Sequence, residues 1–275
     1  MCRLLAYLGE PTTAAPLVFG GDHSLHRQSW QPKELLSGSV NADGYGIVWY
    51  HDGRPGRIAE ARPIWYDDEL RGTLEAVESP CVFAALRNST PGIPVDRSGL
   101  LPMVHDRWSF ALNGFVPDFR KTHMRGLREE LPDDLYAELR GSSDSETLFL
   151  LTVAHLREEG TMVEALRATV EEVTRRVGKA EAQLNMVLAD GETLAAVRTG
   201  TRLESNSLYV AERPPFAPGG VVLASEAPEA GAAWTPVDGH SWIEIDADGT
   251  VRSEVASNTV TLRGNPWENQ GTVQV

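Results

Sequence analysis

The chain has 275 residues, 41% hydrophobic and 23% charged, the balance of an ordinary globular protein with a sizeable apolar core. Its 39 acidic residues against 25 basic ones leave a net charge of −14, a surface that repels phosphate backbones and argues against nucleic acid as a partner. No stretch approaches the roughly 18 apolar residues of a membrane span, the first residues lack the layout of a signal peptide, and two cysteines suit a reducing cytoplasm better than a disulfide framework.

The chain opens Met1-Cys2-Arg3, and the apolar run to Leu8 predicts a buried strand. A cysteine after the initiator methionine permits trimming, which leaves a thiol and a free α-amine on one residue. The ordinary pKa of that amine, about 7.7–8.0, suits a general base near neutrality, so nucleophile and base can share a residue. A small buried cysteine is equally ordinary, and a bridge to Cys81 would disable it. Residues 10–40, rich in Pro, Gly and Ser, read as irregular structure. His23 and His26 read there as hydrogen-bonded or solvated rather than as metal ligands.

Asn41-Ala42-Asp43-Gly44, followed by an apolar and aromatic run from Tyr45 to Tyr50, predicts a turn and then a strand. The same loop, poor in side chains, also suits close approach of a ligand to the backbone. Asp52-Gly53 is a further turn, and Asp67 to Ala76 a short helix. Trp65 and Tyr66 beside Asp67 and Asp68 are either half-buried surface rings or a platform for a cation.

Cys81 to Arg87 predicts a strand buried on both faces, with Cys81 in the core. Arg87 at its end, beside the hydroxyl-bearing loop Asn88-Ser89-Thr90, suits either a structural salt bridge or a bidentate clamp on a carboxylate. Trp108 to Leu112 predicts a strand that stops at Asn113-Gly114. That pair is either a hairpin turn or, through the Asn113 amide and the Gly114 N–H, a donor pair for an oxyanion. Residues 117–140 predict one short helix. Ser143-Asp144-Ser145-Glu146 fits a capping box opening a helix to Glu159, and Thr161 to Glu164 opens a second, closed by Gly178. Strands are predicted at 183–189, 193–198, 208–211, 221–225, 242–245 and 250–255. The seven histidines never pair with a second ligand set at metal spacing, so neither metal nor cofactor is expected.

Taken together, Cys2, Asn41 to Gly44, Arg87 with Thr90, Asn113-Gly114 and Ser143 to Glu146 form a pattern that resembles the class II glutamine amidotransferases. The motifs run from Cys2 to Glu146, and the strand-rich pattern continues to 255. The resemblance implies the N-terminal-nucleophile hydrolase fold: α+β, a four-layer αββα sandwich of two antiparallel sheets flanked by helices, as one domain over 1–263 with a flexible tail at 264–275. Met-Cys-Arg, Ser24 to Trp30, Asn41 to Gly46, Arg62 to Trp65 and Val222 to Glu226 are most similar to the stand-alone amidohydrolases of ergothioneine biosynthesis.

The resemblance assigns roles residue by residue. Cys2 is the nucleophile, with its α-amine as base. Asn113 and Gly114 form the oxyanion hole. Arg87 pairs with the α-carboxylate of a γ-glutamyl group with help from Thr90, and Asp144 receives its α-ammonium. Asn41, Asp43 and Gly44 line the site, Asp43 mainly holding the loop, and Trp30 and Trp65 offer rings to a trimethylammonium. Ala85-Leu86 and Leu112 depart from a His-Thr pair and a histidine common in relatives. The implied reaction is hydrolysis of a γ-glutamyl conjugate through a Cys2 thioester, with γ-glutamyl hercynylcysteine sulfoxide as substrate. Two other readings stay open: a glutaminase subunit feeding ammonia to a partner synthase, and an inactive γ-glutamyl-binding scaffold. The expected partner is a small γ-glutamyl molecule; homo-oligomers and contacts with pathway enzymes are left open.

Overall fold

The computed structural model describes residues 2–36, 38–89, 95–201, 205–231 and 234–255; Met1, Thr90 and the tail at 264–275 lie outside them. The first half of the chain holds strands β1 (Arg3–Thr13), β2 (Tyr45–His51), β3 (Arg54–Glu60), β4 (Glu78–Leu86), β5 (Met103–His105) and β6 (Trp108–Phe115). Between them lie helices α1 (Ala14–Phe19), α2 (Leu25–Gln28) and α3 (Leu70–Glu75). The helices α4 (Met124–Arg128), α5 (Asp133–Tyr136), α6 (Asp144–Glu159) and α7 (Met162–Val177) follow. The chain then returns to strands: β7 (Gln183–Ala189), β8 (Thr193–Arg198), β9 (Tyr209–Glu212), β10 (Gly220–Ala224), β11 (Thr235–Pro236), β12 (Ser241–Asp246) and β13 (Val251–Val255).

The strands form two antiparallel sheets, ordered β11-β9-β10-β1-β4-β2-β3 and β13-β12-β8-β7-β6-β5. Side chains alternate across a strand, and β1 shows what that does. Cys2, Leu4, Ala6 and Leu8 face inward and pack with Phe83, Val48, Ala111 and Val187 between the sheets. Leu5 and Tyr7 face outward and are covered by Ala14, Leu17, Val18, Leu70 and Leu74 of α1 and α3. On the far side, Leu148, Leu151, Leu166 and Val173 of α6 and α7 cover the second sheet. This is the expected four-layer sandwich. Burying a side chain such as Leu4 or Phe83 contributes about 1.5–3 kcal/mol.

Three expectations need correcting. Residues 10–40 are partly regular: β1 runs on to Thr13, because after a bulge Thr12 and Thr13 pair with Ser79 and Glu78, and α1 and α2 follow. Residues 117–140 form three pieces, a wide helical turn at Phe119–His123 and then α4 and α5. Asn113-Gly114 is no hairpin turn. Both residues lie within β6, paired with Asn185 and Leu184 of β7. Gly114 is required there because a Cβ would sit 1.9 Å from the Gln183 carbonyl oxygen.

Candidate active site

Antiparallel pairing sets the start of β1 beside the end of β4, since Arg3 is registered with Leu86. Cys2, one residue before β1, and Arg87, one residue after β4, therefore become neighbours. The facing sheet contributes Gly114 near the end of β6, and α6 contributes Asp144 in its first turn. These four residues, with Leu112 and Ser89, line one cavity of about 350 Å³ measured out to open solvent.

Each side chain is held by local chemistry. Cys2 is 8% exposed, and its carbonyl accepts 2.8 Å from Arg3 Nε. Arg87 is 4% exposed, with Nη1 3.4 Å from the Asp96 carbonyl and its guanidinium packed beneath Gly99, where a Cβ would meet Nη2 at 2.4 Å. The 41–44 loop is laced to the end of β4: Arg87 N donates to the Gly44 carbonyl, Asp43 N to the Arg87 carbonyl, and Ser89 N to Asp43 Oδ2. Asp43 thus spends its carboxylate on the loop, and Gly44, at φ 137°, lies under Leu100. Asn41 is buried with its N–H on the Ser29 carbonyl, away from the cavity wall.

Asp144 Oδ2 accepts from Val116 N at 2.9 Å and Oδ1 from Ser145 N at 2.8 Å. Burial pushes its carboxyl above the ordinary carboxylate range despite those two donors. A carboxylate so desolvated gains strongly from a cation placed beside it. The capping box is only half formed: Ser143 Oγ accepts from Glu146 N, but Glu146 turns to the Arg140 and Gly141 amides. Asn113 is 1% exposed, and its Nδ2 is buried without a hydrogen-bond partner. Its carbonyl is held by Asn206 Nδ2 at 2.9 Å, and Asn206 is held in turn by Asn185 and Arg198. A buried amide donor left unpaired is costly unless a ligand takes it; Asn113, unlike its neighbours Leu112 and Gly114, is not among the residues that line the cavity.

Trp30 and Trp65 do not line this cavity. They pack edge-on against each other, ring centroids 6.1 Å apart, in a row with His26, Phe19 and Tyr66 outside the first sheet. That placement follows from α2 and the Ile64–Tyr66 turn lying in the outer layer. Cys2 and Cys81 are both free thiols.

Sequence reasoning gave no role to the group that anchors the start of β1. Glu226, 1% exposed, accepts from Arg3 Nη1 at 2.7 Å, Lys33 N at 2.9 Å and Glu34 N at 3.0 Å, and meets His23 Nε2 at 2.7 Å. Burial alone would raise its carboxyl; the His23 bond, the Arg3 charge and the two amides reverse that and hold it below the usual value. The available signal was a charge inside each apolar run, Arg3 in the opening strand and Glu226 after Val221 to Ala224. Ser89 was also missed: its Oγ is buried, lines the cavity and has no partner.

Among the described residues no group of three or more His, Cys, Asp or Glu could hold a metal ion, and no helix is long and apolar enough to cross a membrane. The family profile described as glutamine amidotransferases class-II matches residues 1–227. The chain is 31% identical, over 89% of its length and 96% of the relative's, to the gamma-glutamyl-hercynylcysteine sulfoxide hydrolase of Mycolicibacterium smegmatis. The protein of that name in Mycobacterium tuberculosis is likewise 31% identical, over 90% of this chain and 94% of that one. Among solved structures, a glutamine aminotransferase class-II domain protein from Silicibacter pomeroyi superposes with TM-score 0.66, at 24% identity over 92% of this chain and 99% of that one. The phosphoribosylpyrophosphate amidotransferase of Bacillus subtilis gives 0.64 at 16% identity, over 92% of this chain and 49% of that one.

Proposed function

Since the chain belongs to the class II glutamine amidotransferases, we propose that it hydrolyses the γ-glutamyl amide of a γ-glutamyl conjugate, with γ-glutamyl hercynylcysteine sulfoxide as the substrate its relatives' names suggest. The observation that carries this reading is the convergence of Cys2, Arg87, Gly114 and Asp144 on one cavity. Its ends match a γ-glutamyl head: Arg87 for the α-carboxylate, Asp144 for the α-ammonium, and the scissile carbonyl at Cys2.

In this reading Met1 is removed and the free α-amine of Cys2 takes the thiol proton. The sulfur bonds to the carbonyl carbon of the γ-amide, and the carbonyl oxygen becomes an oxyanion between Asn113 Nδ2 and Gly114 N. The C–N bond breaks as the α-ammonium returns its proton to the leaving amine. Water then attacks the thioester, giving a proton to the amine. The C–S bond breaks, glutamate leaves, and the sulfur regains its proton. The reading treats residues 1–263 as one domain.

The test is the intact mass of the protein before and after a diazo-ketone glutamine analogue. Loss of one methionine and a single adduct on Cys2, with none on Cys81, is expected. Retained Met1 and no adduct would overturn the mechanism in favour of a binding scaffold. Turnover of glutamine in preference to a bulkier γ-glutamyl amide would instead support an ammonia-supplying glutaminase.

A further inference from the structure

The most deeply buried ion pair among the described residues lies outside the cavity, one residue from Cys2. Arg3 and Glu226, with side chains 0% and 1% exposed, meet at 2.7 Å. Desolvating two charges costs about as much as their attraction returns, so an apolar pair of similar volume would serve stability equally well. Arg3 Nη2 is also buried without a hydrogen-bond partner, a further cost. Stability alone therefore gives no reason for an arginine here; the other contact of its guanidinium does.

Side chains alternate along β1, so Arg3 falls on the face opposite Cys2, and its guanidinium turns back along its own backbone. Nη1 donates to Glu226 Oε1, while Nε donates to the Cys2 carbonyl at 2.8 Å. Cys2 needs such a tether. It precedes β1, whose pairing with β4 starts at Arg3 and with β10 at Leu5, so it sits beyond the ladder that fixes the rest of the strand. A bond to its carbonyl holds the peptide plane from which the Cys2 α-carbon, with its amine and sulfur, projects. Once Met1 is removed, that plane is the whole covalent support of the nucleophile.

The guanidinium is held in turn from its far side. Glu226 accepts from Lys33 N and Glu34 N at 2.9 and 3.0 Å and meets His23 Nε2 at 2.7 Å. It follows Ser225, whose N donates to the Leu4 carbonyl at 3.0 Å and whose Oγ accepts from Leu4 N at 2.9 Å. The end of β10, the backbone at 33–34 and His23 thus converge on one carboxylate, which fixes the Arg3 fork. Desolvation pulls Arg3 below the usual guanidinium value, and the charges of Glu226, Cys2 and Glu34 oppose that. A thiolate at Cys2 is therefore among the groups that the Arg3 cation attracts.

We propose that Arg3, fixed by Glu226, is a positioning residue that holds Cys2 in its attacking orientation at the cavity wall. This rests on the hydrolase reading above and goes beyond it, assigning part of the rate to a group that never touches substrate.

Arg3→Lys tests it, because an ammonium can pair with Glu226 but lacks the rigid fork that also reaches the Cys2 carbonyl. In steady-state cleavage of a γ-glutamyl amide, kcat should fall by on the order of tenfold, the size of one charged hydrogen bond, while KM stays within about twofold. The saturating rate of Cys2 alkylation by the diazo-ketone glutamine analogue should fall by the same factor. Leu8→Ala opens a core void further along β1 and is the control for stability. It should lower the urea midpoint by more than Arg3→Lys does and leave kcat unchanged. Arg3→Met combined with Glu226→Gln removes both charges and strands neither; the same loss of kcat is expected there, in a protein that still folds. Full kcat in either Arg3 variant overturns the positioning role. So does a rise in KM that carries the whole loss, or an equal loss of kcat in Leu8→Ala, the mark of a general effect of stability. No turnover and no adduct on Cys2 in the unmodified protein defeats the hydrolase reading itself, an outcome distinct from an active protein whose kcat is indifferent to Arg3.

Discussion

The two cysteines belong to one strand pair, Cys2 just before β1 and Cys81 within β4, at opposite ends of the same core. Cys81 on β4 is registered with Leu8 of β1, is 0% exposed, and has burial, reinforced by the charge of Asp190, pushing its thiol well up. A thiolate there would have lost its water and gained little in return. Cys2 is 8% exposed and sits where β1 begins and β4 ends. There it meets the cavity, Arg87, Asp144 and the charge of Arg3. Both residues count as buried cysteine, so residue type and burial do not separate them. Position relative to a cavity does: one end of the β1–β4 pair is sealed, and the other borders a cavity and a charged hub.

The largest expected effect sharpens that contrast. Cys2→Ala should reduce turnover of a γ-glutamyl amide by at least about 10³-fold in steady-state assays, and a variant keeping a tenth of the activity would erase the distinction. Next, Glu226→Gln should cost about 3–5 kcal/mol in urea unfolding, because it strips Arg3, 0% exposed, of its counter-charge. A loss below about 1 kcal/mol, the size of an exposed pair, would mean that the hub does not hold this end.

A smaller effect follows from Asp144. Its folded pKa lies above the unfolded one, so its contribution to stability is present at low pH and is lost as pH rises through the folded value. The ionised form, which weakens the fold at neutral pH, is the form that takes the substrate ammonium in the proposed reading. KM should therefore climb on the acid side, starting at a higher pH than an ordinary carboxylate would dictate, and Asp144→Asn should lack that limb. An identical acid limb in the variant would assign it elsewhere. The smallest effect is expected at the closed end: Cys81→Ala should cost about 1 kcal/mol in unfolding and leave kcat/KM unchanged.

Local patterns were legible where chemistry is local. The helices at Asp144–Glu159 and Met162–Val177 were readable from Ser143, Thr161, Gly160 and Gly178, which start and stop them through bonds within one turn. The strands Gln183–Ala189 and Thr193–Arg198 were readable from alternation and from Asp190-Gly191 between them. Cys2, Arg87, Gly114 and Asp144 were legible as candidates through their motifs, and the cavity brings those four together. Asn113-Gly114 misled because its hairpin signal is local while β7, about seventy residues later, pairs both positions and carries the strand through. Trp30 and Trp65 misled because aromatic composition says nothing about the layer in which a ring lies.

By itself the sequence determined the two long helices and most of the turns, which depend on capping and backbone freedom within a few positions, while the sandwich class and the candidate site residues were legible through the family resemblance that the motifs carry. Only the tertiary structure decided that Arg3 meets Glu226 across 223 positions and that one cysteine borders a cavity while the other is sealed. Those outcomes depend on strand order and register, which are settled when two whole sheets bury their apolar faces together, so no short stretch of sequence contains them.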